Sequence, residues 1–288
     1  ATAAAEQAIT AAGIDRHEID MLIVATMTPD MQFPSTACLV QSQLGLDNIT
    51  AFDLQAACSG FIYAISTADQ FVKSGMYKNI LVIGSENHSG GLDMTTRGRG
   101  VSVIFGDGAG AAVISREDDL TKGILSSHLH SEGKHAKELS LIGPSTNRWV
   151  PEIIDANDPE DISYYPYMNG QLVFKNAVVR FSEVIMEGLN HNDLTPDKIN
   201  MLIPHQANLR ISQFVQKKFG LSDDQVYNNI QKYGNTTAGS IPIALTEAWE
   251  NSKINDGDIV VLAAFGSGFT WGSTIIRWSV SYTHLTLP

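Results

Sequence analysis

Four short segments of this 288-residue chain hold groups able to do covalent chemistry. In Phe52-Asp53-Leu54-Gln55-Ala56-Ala57-Cys58-Ser59-Gly60-Phe61, a strand ends near Leu54 and a helix opens near Cys58. A thiol at such a junction meets outward-pointing N–H groups and the positive end of a helix, conditions that lower its pKa and make it nucleophilic. The plainer reading is a buried inert cysteine. Cys38, in the amphipathic stretch 33–40, reads as core. In Ile203-Pro204-His205-Gln206-Ala207-Asn208, His205 sits at a strand end, where α/β sheets place ligands and catalytic groups; the alternative is a satisfied structural histidine. In Tyr233-Gly234-Asn235-Thr236-Thr237-Ala238-Gly239-Ser240-Ile241-Pro242, Asn235 either caps a helix or turns its amide to a substrate oxygen. In Ala264-Phe265-Gly266-Ser267-Gly268-Phe269-Thr270-Trp271-Gly272, glycines between aromatics let a backbone N–H reach a reacting carbonyl. Gly106-Asp107-Gly108-Ala109-Gly110 matches neither a P-loop nor a full dinucleotide fingerprint and reads as a tight turn allowing close backbone approach.

The elements that must position these groups alternate along the chain. Apolar β-branched runs predict buried strands over 21–26, 50–54, 80–84, 110–115, 201–204, 259–265 and 273–278, with helices between them, including 59–74 and 172–189. This is α/β layering with largely buried strands. Ile19-Asp20-Met21-Leu22-Ile23 recurs 180 positions on as Ile199-Asn200-Met201-Leu202-Ile203, each copy following a helix and a short polar turn, so a duplicated α/β half is expected.

Apolar residues make up 43% and charged residues 17%, which fits a globular protein. A formal net charge of -12 opposes general affinity for nucleic acid. The two cysteines give no disulfide framework, and no apolar run is long enough to span a bilayer. No metal-ligand cluster stands out, and a cytoplasmic protein is expected. The chain starts inside a helical pattern without Met, so a truncated N-terminus is expected. Residues 279–288 have no partner pattern and read as a non-native tail.

Taken in order, the segments resemble the β-ketoacyl-acyl-carrier-protein synthase III family of the thiolase superfamily, from the first helix to Trp278. The resemblance is carried by Ala57-Cys58-Ser59-Gly60-Phe61, Phe105-Gly106-Asp107-Gly108-Ala109-Gly110-Ala111, Pro204-His205-Gln206-Ala207-Asn208-Leu209-Arg210-Ile211, Gly234-Asn235-Thr236-Thr237-Ala238 and Phe269-Thr270-Trp271-Gly272. It implies an α/β, thiolase-like five-layer αβαβα fold of two duplicated halves with mixed, largely buried sheets. Residues 1–120 would carry the nucleophile and 121–278 the His and Asn. It implies a catalytic triad of Cys58, His205 and Asn235, with an oxyanion hole from the backbone N–H groups of Cys58 and Ser267. The implied reaction is ping-pong: Cys58 takes an acyl group from acyl-CoA, and malonyl-acyl carrier protein then loses CO2 and attacks that group, starting fatty acid synthesis. Arg97, Gly98, Gly170, Phe174 and Asn208 resemble residues of the CoA channel, and Phe33, Met168 and Phe265 fall at the acyl pocket, Phe33 from across a homodimer interface. Arg210 and Lys217, seven apart on one helix face beside Lys218, fit docking of an acidic carrier protein. No cofactor is implied beyond the CoA and phosphopantetheine of the substrates.

Three departures bear on these expectations. Roughly fifty N-terminal residues usual to such domains are missing, including a strand expected inside the first sheet, so the chain should fold poorly and bind CoA weakly. Residues 131–165 are long and acidic, with Asp155, Asp158, Glu160 and Asp161, which leaves primer choice open. Ser267 stands where glycine is usual and needs only permitted backbone angles. Alternatives are a related condensing enzyme with a longer or branched primer, a cysteine hydrolase (the order Cys, His, Asn also fits papain-like proteases), and an inactive fragment.

Overall fold

A computed structural model of the protein describes residues 1–143, 145 and 164–279. The main elements, in order, are α1 (Thr2–Ala12), β1 (Met21–Ala25), α2 (Thr36–Gln43), β2 (Thr50–Leu54), α3 (Gly60–Lys73), β3 (Asn79–Glu86), β4 (Gly108–Ser115), β5 (Gly123–Ser131), β6 (Leu139–Ser140), β7 (Tyr167–Met168), α4 (Gly170–His191), β8 (Met201–Pro204), α5 (Leu209–Phe219), α6 (Ser240–Glu250), β9 (Ile259–Gly266) and β10 (Thr270–Arg277). They build two four-stranded mixed sheets, ordered β2-β1-β3-β4 and β5-β10-β9-β8. β1 runs parallel to β2 and β3, and β8 parallel to β9; β3–β4, β9–β10 and β10–β5 are antiparallel.

The strands are apolar throughout because both faces of each sheet are covered. On the outer face of the first sheet, Leu22, Val24, Leu81 and Ile83 pack under α1 and α2. The opposite residues, Met21, Ile23, Ile80 and Val82, share one core with α3, α6 and Met201, Ile203, Val260 and Leu262 of the second sheet. Beyond that sheet, α4 and α5 bury Phe181, Val184, Ile185 and Val215 against Val261, Ala263 and Ile275. The result is five layers, αβαβα, with α3 and α6 sunk at the centre.

The 180-residue echo is structural. The Asp20 N–H bonds the Asn79 carbonyl at 2.9 Å, and the Asn200 N–H bonds that of Ile259 at 3.0 Å. The Asp20 carboxylate accepts from Asn79 N at 3.1 Å, as the Asn200 side chain accepts from Ile259 N at 2.8 Å. Each pair locks the start of its repeated strand to the next strand in its sheet.

Sequence periodicity missed β5. Its residues Ser126, His128 and His130 are polar because they meet α4, where Asn192 donates to Ser126 Oγ at 2.7 Å and His130 pairs with Glu187 at 2.6 Å. The first sheet contains no internal gap where a strand was expected. The two sheets differ at an edge instead: β10 is flanked by β9 and β5, whereas β4 pairs only with β3 among the described residues. Cys38 is half-buried, not core, with the Ser35 hydroxyl 3.2 Å from its Sγ. Asp155, Asp158, Glu160, Asp161 and all of the 279–288 tail except Ser279 lie outside the described residues. No helix among the described residues is long and apolar enough to cross a membrane.

An unpaired ladder edge opens locally at low cost. On a polypeptide of these 288 residues, hydrogen exchange read by mass spectrometry should show β4 amides that point away from β3 exchanging roughly 10²-fold faster than their counterparts on β10. Equal protection of the two strands would contradict this edge.

Candidate active site

Cys58 lies in a tight turn, Ala57–Ser59, that leads into α3. Ala57 has φ 45°, a left-handed conformation that costs a residue with a Cβ about 1–3 kcal/mol unless its surroundings enforce it. Two bonds to the β9–β10 hairpin do so: the Thr270 hydroxyl lies 3.1 Å from Ala56 O, and Ser59 Oγ donates to Thr270 O at 3.0 Å; the same Thr270 hydroxyl is 2.9 Å from Ser267 O within the hairpin. Gly266 is required beside the thiol. A Cβ there would fall 2.5 Å from Cys58 Cβ and 3.0 Å from Sγ. This approach brings the Ser267 N–H, together with that of Cys58 itself, onto Sγ. Ser267 is absent from the residues of positive φ, so its Cβ is tolerated, and its hydroxyl donates to Leu139 O.

His205 follows β8 directly, its N–H bonded to Ala263 O on β9 at 2.8 Å. It is 4% exposed. Nδ1 is 2.6 Å from Ser240 Oγ, while Nε2 is buried and has no partner. The Ser240 hydroxyl has one proton and two acceptors in reach, His205 Nδ1 and Thr237 O at 3.0 Å. When the proton goes to Nδ1, Nε2 carries its own proton and is a free donor.

Asn235 is equally buried, and its loop docks on the ends of β3 and β4. Its N–H bonds Ile104 O at 2.9 Å, and its carbonyl accepts from Gly106 N at 3.0 Å. A Cβ on Gly106 would strike Tyr233 O at 2.1 Å, so that glycine serves backbone approach. Asn235 Oδ1 accepts from Thr237 N at 2.9 Å, which caps the turn and leaves the amide NH2 as the remaining donor. The capping and substrate readings of Asn235 are thus compatible.

Burial decides the charge states. It pushes the Cys58 thiol up to about 12; the nearby Glu86 charge adds to this, and the two N–H groups only partly offset it. The strand–helix junction therefore does not lower this thiol, contrary to what the sequence alone suggested. Burial also holds His205 down to about 3, so both groups are neutral at rest. Glu86, at the end of β3, is likewise raised by burial to about 7, although Thr28 Oγ1 donates to it at 2.7 Å and the Met27 and Ala238 N–H groups also point at it.

Of the other expected residues, Arg97, Gly98 and Met168 line one cavity of about 150 Å³ with Asp93, Val101 and Tyr165. Arg97 Nε pairs with Asp93 at 2.6 Å and its guanidinium lies 5.1 Å over the Tyr165 ring. The Thr95 hydroxyl and Arg97 hold Asp93 down to about 2. Gly170 opens α4 beside Met168, and Phe174 is exposed one turn on. Asn208 caps α5 by accepting from Arg210 N at 3.0 Å. Phe33 is 81% exposed. Phe265 does not line that cavity; it is buried in the outer core, 4.8 Å from the Phe269 ring. Arg210, Lys217 and Lys218 are exposed on α5. Sequence patterns gave no role to Glu86, Thr237 or Ser240. Their signal was position, just past buried strands or at a helix start.

This fold, with buried Cys58 packed against Gly266 of β9, buried His205 bonded to Ala263 of the same strand and buried Asn235 in a turn ahead of α6, is that of a thiolase-like condensing enzyme, an acyltransferase. Residues 52–133 match the family described as 3-Oxoacyl-[acyl-carrier-protein (ACP)] synthase III, and residues 189–278 its C-terminal counterpart. The chain is 46% identical over 282 residues to the β-ketoacyl-[acyl-carrier-protein] synthase III of Caldanaerobacter subterraneus subsp. tengcongensis, covering 97% of this chain and 82% of that one. The crystal structure of 3-oxoacyl-[acyl-carrier-protein] synthase III from Aquifex aeolicus superposes with TM-score 0.87 at 42% identity, covering 96% and 83%. That from Pseudomonas aeruginosa gives 0.86 at 34%, covering 97% and 82%. The chain belongs to the 3-oxoacyl-[acyl-carrier-protein] synthase III family, the ketoacyl synthases of fatty acid biosynthesis.

The folded pKa of Glu86 lies above its ordinary 4.5, so its contribution to stability is full below about pH 4.5 and is lost as pH rises through 7. Between pH 5 and 8, the native chain should lose on the order of 3 kcal/mol of unfolding free energy that Glu86→Gln does not lose. Parallel urea titrations would check it. His205 has the opposite sign: its folded pKa is depressed, so its contribution is present above about pH 6.5 and lost as pH falls toward 3.

Proposed function

We propose that the chain catalyses a decarboxylating Claisen condensation of an acyl-CoA primer with malonyl-acyl carrier protein through an acyl-Cys58 intermediate. The observation that carries this reading is a buried thiol under two N–H groups at the end of β9, a strand that also bonds the backbone of His205, whose buried Nε2 has no partner. In the first step Sγ bonds the acyl carbon, the carbon–sulfur bond to CoA breaks, and the thiol proton leaves on the CoA sulfur. The Cys58 and Ser267 N–H groups hold the oxyanion of the tetrahedral intermediate. In the second step the malonyl carbon–carboxylate bond breaks and CO2 departs. The electron pair passes to the thioester oxygen, where His205 Nε2 and the Asn235 amide donate; the enolate carbon then attacks the acyl group and expels Sγ as a thiolate, which takes up one proton from solvent to return to the resting thiol.

Arg97, Gly98, Gly170, Phe174 and Asn208 are assigned to CoA and pantetheine, in keeping with the cavity beside Arg97. Met168 and Phe265 are assigned to the acyl pocket, Met168 from the cavity wall and Phe265 from the core behind. Phe33 is assigned to the pocket of a second copy; its exposure and the half-exposed edge strand β2 support a homodimer. Residues 1–120 and 121–278 are taken as the two halves. The basic residues Arg210, Lys217 and Lys218 share α5 with exposed Leu209 and Phe214, a surface suited to an acidic carrier protein. The chemistry as written needs no resident cofactor, and two free thiols suit a reducing cytoplasm.

Incubation with a panel of acyl-CoAs should add one acyl mass to wild type and none to Cys58→Ala. His205→Ala and Asn235→Ala should still acylate, while CO2 release from malonyl thioester falls by about 10²–10³. Acylation of Cys58→Ala would sink the reading. Reversing charge in Arg210→Glu with Lys217→Glu should raise KM for malonyl-acyl carrier protein roughly 10-fold or more and leave Cys58 acylation by acyl-CoA unchanged.

A further inference from the structure

Asn235 can donate to a substrate oxygen only while its amide is held with Oδ1 turned away. Its holder is the Thr237 N–H, and Thr237 is a β-branched residue at φ 47°, a conformation such residues adopt only when surroundings impose it. The Thr237 side chain is bonded from the other half of the fold. His88, two residues beyond β3 and 6% exposed, has Nε2 2.7 Å from Thr237 Oγ1. The His88 ring also packs on Phe105 at 4.7 Å between centroids, and Phe105 bridges the Asn235 backbone. The histidine is itself anchored. Its N–H donates to Asp107 Oδ1 at 2.7 Å, and Ser89 N and Oγ donate to the same carboxylate at 2.9 and 2.6 Å. A rigid chain of contacts thus runs from Asp107 through His88 and Thr237 to the Asn235 amide.

We propose that His88 is a positioning residue for the decarboxylation step, holding Thr237 so that the Asn235 amide faces the malonyl thioester oxygen. The inference rests on the two-step reading above. It separates the half-reactions: the oxyanion hole at Cys58 is built from the β9–β10 hairpin and does not use His88, whereas the enolate site does. Burial keeps the His88 imidazole neutral, with its pKa lowered to about 4, so one ring nitrogen carries a proton and the other accepts, and the contact is the same at any neutral assay pH.

The test compares wild type, His88→Leu, His88→Gln, Thr237→Val and the Leu/Val double variant. Acyl-Cys58 formation is timed by mass spectrometry, and CO2 release from malonyl thioester is followed on the acylated enzyme. His88→Leu and Thr237→Val should each lower kcat for CO2 release roughly 10–100-fold, with KM and the acylation rate within about 3-fold of wild type. Gln carries an amide to about the place of ring Nε2, so His88→Gln should recover most of the rate. The double variant should be no worse than the poorer single, because both delete one contact. Equal losses in both steps, no loss in either, or losses that multiply in the double variant would overturn the proposal. If His88→Leu melts early, the near-isosteric Thr237→Val and His88→Gln decide by the same criteria. A wild type that never acylates at Cys58 would overturn the two-step reading itself, and this inference with it.

Discussion

The site depends on how closely the end of β9 approaches Cys58. Only a residue without a Cβ fits there, since an added carbon would sit 2.5 Å from Cys58 Cβ. That approach places the Ser267 N–H on the sulfur, and the hydroxyls of Ser59 in the turn and Thr270 in the hairpin then fix the two against each other. The two sheets must therefore be held at one separation, which the central pair α3 and α6 sets through a single core shared by both. Small shifts in that packing would move donor and nucleophile apart, and catalytic donors tolerate little displacement.

Depth also chooses the chemistry's resting state. A desolvated thiolate beside a desolvated imidazolium is costly, and the burial that shapes the pocket keeps both groups neutral. In the proposed reaction, activation then comes from donors aimed at the charge that develops, not from a standing thiolate. Glu86 adds a carboxylate to the same buried region, pinned by Thr28 and the Met27 and Ala238 N–H groups, and its charge disfavours an anionic sulfur.

The duplicated halves show how one scaffold yields an asymmetric site. At the 180-residue offset, Ala57 and Thr237 share the same unusual positive φ, each ahead of a tight turn and a central helix. Cys58 then corresponds to Ala238, Ala25 to His205, and Glu86 to Gly266. The N–H of Ala238 bonds the Glu86 carboxylate, whereas at the equivalent turn the N–H of Cys58 faces its own sulfur beside Gly266. One half keeps the proposed nucleophile and an open donor; the other half's turn gives its N–H to a fixed carboxylate, and that half carries the imidazole and amide of the proposed site.

The sequence by itself determined the layering and the repeat, and it singled out Cys58, His205 and Asn235 as candidates. Apolar runs too continuous for an exposed strand demanded covered sheets, and Cys58, His205 and Asn235 each stood where a strand or turn meets a helix. It did not reveal β5, whose polar residues are paid for by partners on α4, 55 or more positions away. Nor did it reveal the sheet edge at β4, the buried place of Phe265, or the raised thiol. Those depend on what packs against what across the two sheets, and desolvation has no signature in local spacing. Only the tertiary structure decided which side chains restrain Asn235, because the bond from His88 to Thr237 joins residues 149 positions apart.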